Sequence, residues 1–363
     1  MLQVKNIPIP GYEKVITGID DSAGLHATIA IHSTLRGPAL GGIRMFPYGS
    51  PDAALHDALR LSKAMSRKAA INELDVGGGK AVIMGDPRKD KTRALLRAMG
   101  RLIETAKGNY IGAEDAGIST GDMDVIAKST SHVTGLSPER GGSGDPSQTT
   151  AQGVMLGMRA ALRHKLHRDA LPGVRVAIQG LGKVGWRLAE LLARAGASLV
   201  VSDLDERKCR DAADRWGARI VPPQEIHAAD ADVLAPCAMG GALNAESIPQ
   251  IRAAIVAGSA NNQFDDETAG PASLHARDIL HAPDYVINAG GLIRVYVREI
   301  LKNHNLGPWL RRIDQTLGII FERSDMTGDP PMRIADELAR QRLVPPAETA
   351  TIHHDEPCLG GAR

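Results

Sequence analysis

Val174-Arg175-Val176-Ala177-Ile178-Gln179-Gly180-Leu181-Gly182-Lys183-Val184-Gly185 runs directly into the helical pattern Trp186 to Ala195, and this stretch decides the fold. Its first six residues read as a buried strand, and a turn with glycine at its first, third and sixth positions leads into the helix. In that setting the first glycine permits the tight turn, the second lets a pyrophosphate approach the backbone, and the third lets helix and strand pack closely. The helix N-terminus faces the negative charge. Gly180, Gly182, Lys183, Val184 and Gly185 are therefore candidate cofactor contacts. A second strand, Ser198 to Ser202, ends at Asp203, where an acid accepts the ribose hydroxyls. Asp205 and Glu206 beside it repel a 2′-phosphate, which Arg207 and Lys208 offset only in part. The pattern predicts NAD rather than NADP.

Outward from this turn, Ala231 to Pro236, Ala253 to Gly258 and Tyr285 to Asn288 are short, nearly all-apolar runs, as strands buried on both faces of a parallel sheet must be. Ligands lie beyond the carboxyl ends of such strands, which directs attention to the loops that follow. On the N-terminal side a helix is expected from about Thr150 to His164, preceded by the Gly- and Pro-rich stretch from Ser137 that serves as a linker. Residues 1 to about 135 read as a separate α/β unit. It has β-type alternation over Leu25 to Thr34, a helix capped by Ser50 with Pro51 at its first position, and a helical stripe over Thr92 to Lys107. The fold class is thus α/β with two domains: an N-terminal α/β domain (1–135) and a Rossmann dinucleotide-binding domain (145–330). A further helix is predicted from Met332 to Gln341, and residues 351–363 read as a disordered tail.

Composition narrows the function. The 363 residues carry 43 Lys and Arg against 42 Asp and Glu, a net charge of +1 with no basic excess to attract nucleic acid or anionic lipid. No apolar run is long enough for a membrane span and the N-terminus lacks a signal-peptide core, so a cytoplasmic protein is expected. Cys209, Cys237 and Cys358 are too far apart for a disulfide framework or a zinc pair. His353, His354, Asp355 and Cys358 read as a solvated cluster in the tail, and no metal is expected.

In the first unit, Ala54, Ala58, Leu61, Met65 and Lys68 share one helix face, which places a lysine on a core-facing stripe. Such a lysine either snorkels at the helix end or faces a cleft that receives an anion. Gly77-Gly78-Gly79-Lys80-Ala81 then sets a second lysine after three glycines and before a strand from Ala81 to Met84. It is not a phosphate-binding Walker loop, because Ala81 follows where Ser or Thr would hold magnesium. The glycines are read as room for a substrate or cofactor ring to approach the backbone. A lysine kept from bulk water near another cation has its pKa lowered, which suits proton transfer near neutrality. Asn109 to Asp115 ends in two adjacent acids that, taken alone, read more simply as a helix cap.

Taken together, Gly37 to Met45, the helix with Lys68, Gly77 to Lys80, Ala113-Glu114-Asp115, the glycine turn, Ala235 to Gly241, Ala260 to Gln263 and Pro283 to Gly291 resemble the Glu/Leu/Phe/Val amino acid dehydrogenases, on the leucine and phenylalanine dehydrogenase branch. The resemblance implies oxidative deamination of an L-amino acid by NAD⁺ and water to a 2-oxo acid, ammonium and NADH. By position, Lys68 matches the lysine that pairs with the substrate carboxylate, with Asn262, Gly41 and Gly42 assisting. Lys80 matches the general base, with Lys68 read as the neighbouring cation, and Asp115 matches the acid that exchanges a proton with the substrate amine. Thr150 matches a nicotinamide contact; Cys237, Ala238, Ala260, Asn261 and Asn288 match cofactor positions. Leu40, Ala113, Leu292 and Val295 match the side-chain pocket, and their small aliphatic character favours leucine and its branched relatives over phenylalanine or tryptophan. The resemblance also implies C-terminal helices (331–350) that complete the first domain, a hinge at Gly141 to Gly144, and a homo-oligomer, dimer or octamer.

Three departures from the family pattern stand out, one being Val297-Arg298 in place of a more acidic pair, which alters the charge at the pocket mouth. Arg294 replaces Asn or Gln at the pocket mouth, and either points inward, favouring a polar substrate, or lies on the surface. Gln148-Thr149 is also unusual, without a physical account from sequence. Two rival classes are an NAD-binding protein without catalysis and a hydroxy-acid dehydrogenase. Lys68, Lys80 and Asp115 count against the first, and the lack of a histidine beside any recognised motif counts against the second.

Overall fold

The structure is a computed structural model of the chain, and it describes residues 1–344; the predicted tail with its His and Cys cluster lies outside the described residues. The first domain comprises β1 (Gln3–Asn6), β2 (Lys14–Asp20), β3 (Leu25–Ser33), β4 (Ala39–Phe46), α1 (Pro51–Ile71), β5 (Gly77–Met84), α2 (Arg93–Glu104), β6 (Tyr110–Glu114) and α3 (Thr120–Ile126). Its six strands form one mixed sheet in the order β1-β2-β3-β5-β4-β6. The Ser50 hydroxyl accepts the Ala53 N–H and Pro51 opens α1, as the sequence predicts. The amphipathic α2 covers the sheet through Leu95, Met99, Leu102 and Ile103. On the opposite face, Ala54 and Ala58 of α1 pack with Val15, Ala30 and Val82.

A segment containing a short turn at Pro138–Arg140 leads to the second domain. There follow α4 (Ser147–Leu166), β7 (Arg175–Gln179), α5 (Lys183–Arg194), β8 (Ser198–Ser202), α6 (Glu206–Trp216), β9 (Arg219–Ile220), β10 (Val233–Pro236), β11 (Ile255–Val256), α7 (Ala269–Ala276), β12 (Leu280–His281), α8 (Asp284–Ile287) and α9 (Gly290–Val295). The second sheet is parallel, in the order β12-β11-β10-β7-β8-β9. A π-helical turn at Tyr296–Ile300 follows, then α10 (Gly307–Thr327) and α11 (Pro331–Leu343). These last helices return to pack on α4 and α1, and Arg342 near the end of α11 pairs with Glu73 just past α1.

Three expectations require correction. Tyr285 to Asn288 is not a strand: Pro283 starts the short helix α8 and the sheet's last strand is Leu280–His281. A four-residue apolar run carries no period, so it reads the same in either state. The helix expected from Thr150 begins earlier, at Ser147.

The third concerns Gly77 to Gly79, which form the start of β5 rather than a loop open to a ligand. A Cβ on Gly78 would lie 2.1 Å from the Ser66 nitrogen of α1, and one on Gly79 would lie 2.7 Å from the Tyr110 ring. The glycines let α1 and β6 close on the strand. The protein itself fills the space.

Candidate active site

A cleft of about 240 Å³ opens between the domains, lined by Leu40, Gly41, Gly42 and Lys80 on one side and by Gly291, Leu292 and Val295 on the other. Ala113, Glu114 and Asp115 close one end at the tip of β6, and Met65 of α1 also reaches the wall. All four positions read as the side-chain pocket therefore share one cavity. Met65 is an addition; it was visible on the apolar stripe of α1, but the stripe alone does not say which members reach a cavity.

Lys80 is 5% exposed and forms an ion pair with the Asp115 carboxylate. Asp115 lies directly after β6 instead of capping a helix; the cap of α3 is Ser119. Gly42 admits it, because a Cβ there would lie 2.7 Å from the Asp115 Cβ. Gly41 lies equally close to β5, its Cβ position meeting the carbonyl of Gly79, and the buried Tyr110 hydroxyl donates to Gly41 O at 2.8 Å. Burial, helped by Arg44 and Arg60, pushes the Lys80 ammonium well below the ordinary lysine range, opposed by the carboxylates of Asp57 and of its partner Asp115. The neighbouring cations are thus Arg44 and Arg60, not Lys68 as the sequence suggested. Helix periodicity fixes a face, not the distance to another element.

Lys68 lies one turn beyond Met65. The buried stripe of α1 is Ala54, Ala58, Ser62, Ser66 and Ala69, so Lys68 sits at its border, facing the second domain. Its ammonium donates to Asn288 Oδ1 at 2.7 Å, and burial lowers its pKa to about 8 despite the carboxylate of Asp284. Asn288 in turn donates to Asn261 Oδ1 at 2.7 Å and to Ser259 O, while Asp284 accepts the Asn262 N–H at 2.6 Å. Asn262 adopts φ +50°, and this network holds it there. One chain of hydrogen bonds links α1 to the loop after β11. Asp284, buried and central to it, was not singled out in the sequence because an acid in a short apolar run has no motif of its own.

The glycine turn joins β7 to α5. Gly180 has φ +97° and Gly185 packs so closely that a Cβ would meet Gly180 O at 2.0 Å. Gly182 differs: nothing lies within 4 Å of its Cβ position, at the exposed N-terminus of α5. Lys183 and Val184 follow in the first turn, with Lys183 exposed. Asp203, at the end of β8, accepts N–H groups from Leu181 and Asp205 at 2.6 and 2.8 Å. Exposed Leu204 and Met239 flank this cradle, and Ala238, just after Cys237, sits against Gly180. Open backbone, a fixed carboxylate and two unsheltered apolar side chains fit a dinucleotide. Ala260 closes the next loop by bonding Pro236 O, and the Thr150 hydroxyl donates to Pro146 O beside Gly291.

Arg294 resolves neither as the sequence left it. Its guanidinium donates to Ser143 O and to Thr149 Oγ1, the latter at 3.1 Å, so it is turned from the cleft toward the interdomain segment. Glu299 takes the other polar groups of Ser143, its N–H at 3.0 Å and its hydroxyl at 2.6 Å. Two of the unusual positions, Arg294 and Thr149, thus form one contact. Among the described residues no cluster of His, Cys, Asp and Glu is arranged to hold a metal, and no helix is long and apolar enough to cross a membrane.

Comparison with known proteins agrees with this geometry. The Glu/Leu/Phe/Val dehydrogenase dimerisation domain matches residues 14–132, and the Glutamate/Leucine/Phenylalanine/Valine dehydrogenase domain matches 141–208 and 202–323. A leucine dehydrogenase of Bacillus cereus is 45% identical over 92% of this chain and 91% of its own. The crystal structure of L-tryptophan dehydrogenase from Nostoc punctiforme superposes with a TM-score of 0.82 at 39% identity, covering 92% of this chain and 96% of that one. A glutamate dehydrogenase from Thermus thermophilus, described as hetero-hexameric, follows at TM-score 0.72 and 25% identity, over 95% of this chain and 88% of that one. With a glycine turn built for a dinucleotide on one side of the cleft and a buried lysine–aspartate pair on the other, the chain belongs to the Glu/Leu/Phe/Val dehydrogenase family, oxidoreductases that act on amino acids with a nicotinamide cofactor.

Proposed function

We propose that the protein is an NAD-dependent L-amino acid dehydrogenase that prefers leucine and its branched relatives, releasing the 2-oxo acid and ammonium. The observation that carries this reading is the buried Lys80–Asp115 pair in a cleft to which Leu40, Met65, Ala113, Leu292 and Val295 contribute apolar wall, beside glycines, Pro146 and the polar Glu114 and Ser143, whose side chains are bonded to Thr120 and Glu299. A branched aliphatic side chain packs there without leaving a polar group unpaired. The similarity to the Bacillus cereus leucine dehydrogenase supports it. The tryptophan dehydrogenase relative favours a second reading, an aromatic substrate, since an apolar pocket separates such side chains by only about 1–3 kcal/mol per methylene.

In this mechanism Lys68 binds the substrate carboxylate, assisted by Asn262 and the backbone around Gly41 and Gly42. Asp115 takes the substrate ammonium and so releases Lys80 from its ion pair. Burial and Arg44 then favour the neutral amine, and Lys80 removes a proton from the water that attacks the imino acid. Asp115 exchanges a proton with the nitrogen as ammonium leaves. NAD, when bound, supplies the hydride acceptor for the substrate Cα. The cradle of Gly180, Gly182, Lys183, Val184 and Gly185 would hold its pyrophosphate and Asp203 its ribose, with Thr150, Cys237, Ala238, Ala260, Asn261 and Asn288 about the remaining contacts. NAD is preferred to NADP because Asp203, Asp205 and Glu206 repel a 2′-phosphate, while the adjacent cations are drawn toward those acids, Arg207 pairing with Asp205 and Lys208 lying 3.8 Å from Asp203.

We also propose a first domain of residues 1–135 completed by the C-terminal helices, a Rossmann domain of 145–330, and a cytoplasmic homo-oligomer. The match of residues 14–132 to a dimerisation domain supports the last. The test is NADH formation at 340 nm with L-leucine, L-valine, L-phenylalanine, L-tryptophan and L-glutamate, repeated with NADP⁺ and with Lys80→Ala. Branched substrates should lead, NADP⁺ should be poor, and Lys80→Ala should lose about 10²–10⁴-fold in turnover while NAD affinity is kept. An aromatic preference would overturn the substrate assignment, and silence across the panel would overturn the activity.

A further inference from the structure

We propose that Arg44 is a positioning residue for the deamination: its guanidinium, braced by Asp57, fixes the Asp115 carboxylate and places a second positive charge beside Lys80. The inference rests on the roles proposed above for Lys80 and Asp115.

Arg44 lies on β4 two residues beyond Gly42, hence on the same face of the sheet. One guanidinium nitrogen is 3.1 Å from Asp57 Oδ2 and the other 3.7 Å from Asp115 Oδ1. Asp57, on α1, is itself fully engaged, accepting the Tyr48 hydroxyl at 2.6 Å and Arg60 at 2.9 Å. Asp115 therefore sits between two cations, with Oδ1 toward Arg44 and Oδ2 on Lys80. Arg44 Nε is buried without a partner, a cost that the protein bears with a charge held at this position.

The charge count gives the arrangement its consequence. With Lys80 protonated, Lys80, Arg44 and Arg60 face only Asp57 and Asp115, three cations against two carboxylates. With Lys80 neutral the cluster balances. In a poorly solvated site the balanced state is favoured, which makes Lys80 a base near neutral pH. The other groups on this side are already engaged: Glu114 accepts the Thr120 hydroxyl at 2.9 Å, His32 of β3 bonds Ser66, and Lys68 bonds Asn288.

The test is the pH dependence of kcat/KM for L-leucine with R44Q, R44K and D57N. In the wild type the acidic limb reports loss of the Lys80 proton. R44Q removes a cation, so the limb should move up by about one pH unit or more, leaving activity about tenfold lower near pH 7 but recovering toward high pH. R44K keeps the charge and should hold the limb near the wild-type position. D57N removes an anion and should move the limb the opposite way, which keeps the test decisive if R44Q does not fold. A readout independent of turnover is the pH profile of Lys80 acetylation by acetic anhydride in the ligand-free protein, followed by peptide mass spectrometry; it should show the same displacements. Profiles of R44Q or D57N that coincide with the wild type, whatever their overall rate, overturn the inference. Silence of the wild type with every amino acid overturns the proposed function instead, and the acetylation profiles then still decide the role of Arg44.

Discussion

The two glycine-rich stretches, Gly77-Gly78-Gly79 and Gly180 to Gly185, look alike in sequence and do opposite work. In the first, the missing side chains are replaced by protein: Ser66 presses on Gly78, the Tyr110 ring on Gly79, and the Ser33 carbonyl on Gly77. In the second, Gly180 and Gly185 are likewise crowded, but Gly182 faces open space at a helix N-terminus. A glycine's meaning therefore lies in what occupies the position of its absent Cβ. Crowding by protein means packing, and emptiness beside unpaired backbone N–H groups means a ligand.

That contrast can be broken by adding one methyl group at a time. The largest effect is expected at Gly42, where the new Cβ displaces the Asp115 side chain from Lys80. Gly42→Ala should lose about 10²–10³-fold in kcat while NAD binding, followed by fluorescence titration, is retained. Wild-type turnover in that variant would refute the placement of Asp115. Gly78→Ala should act on the fold instead, forcing α1 from β5 at a cost of about 1–3 kcal/mol, read as a lower midpoint in urea unfolding. A stable, fully active variant would mean that the helix yields without strain. Gly182→Ala has the smallest effect on the protein itself, because φ is −69° and the space is empty. Its unfolding midpoint should match the wild type, whereas the KM for NAD should rise about tenfold, one crowded contact with a pyrophosphate being worth roughly 1.4 kcal/mol. An unchanged KM would remove the cofactor from this turn.

The second domain was the more legible in sequence. Its decisive signal is local, a strand, a turn and a helix within some twenty residues; the structure places β7 and β8 within a residue of where the pattern puts them, and α5 starts three residues earlier, at Lys183. The last apolar run, Tyr285 to Asn288, forms a helix instead of the expected strand: four residues span barely one helical turn, and a nearly all-apolar run shows no alternation that would separate the two structures. In the first domain the two lysines and Asp115 stood out only when taken together with a family pattern. Nothing in the order Lys68, Lys80, Asp115 shows that Lys80 meets Asp115 while Lys68 reaches Asn288, 220 residues later.

The amino-acid sequence by itself determined the α/β class, the dinucleotide turn, the cap of α1 and the apolar character of the four pocket positions. All are consequences of residue type and short-range period. The tertiary structure decided which groups act on each other: Arg44 and not Lys68 as a cation beside Lys80, Asp284 behind Asn262, and Arg294 joined to Thr149 instead of the substrate cleft. The reason is physical. Periodicity assigns a side chain to a face of its own helix or strand, but burial, charge balance and hydrogen bonding are set by the element that packs against that face.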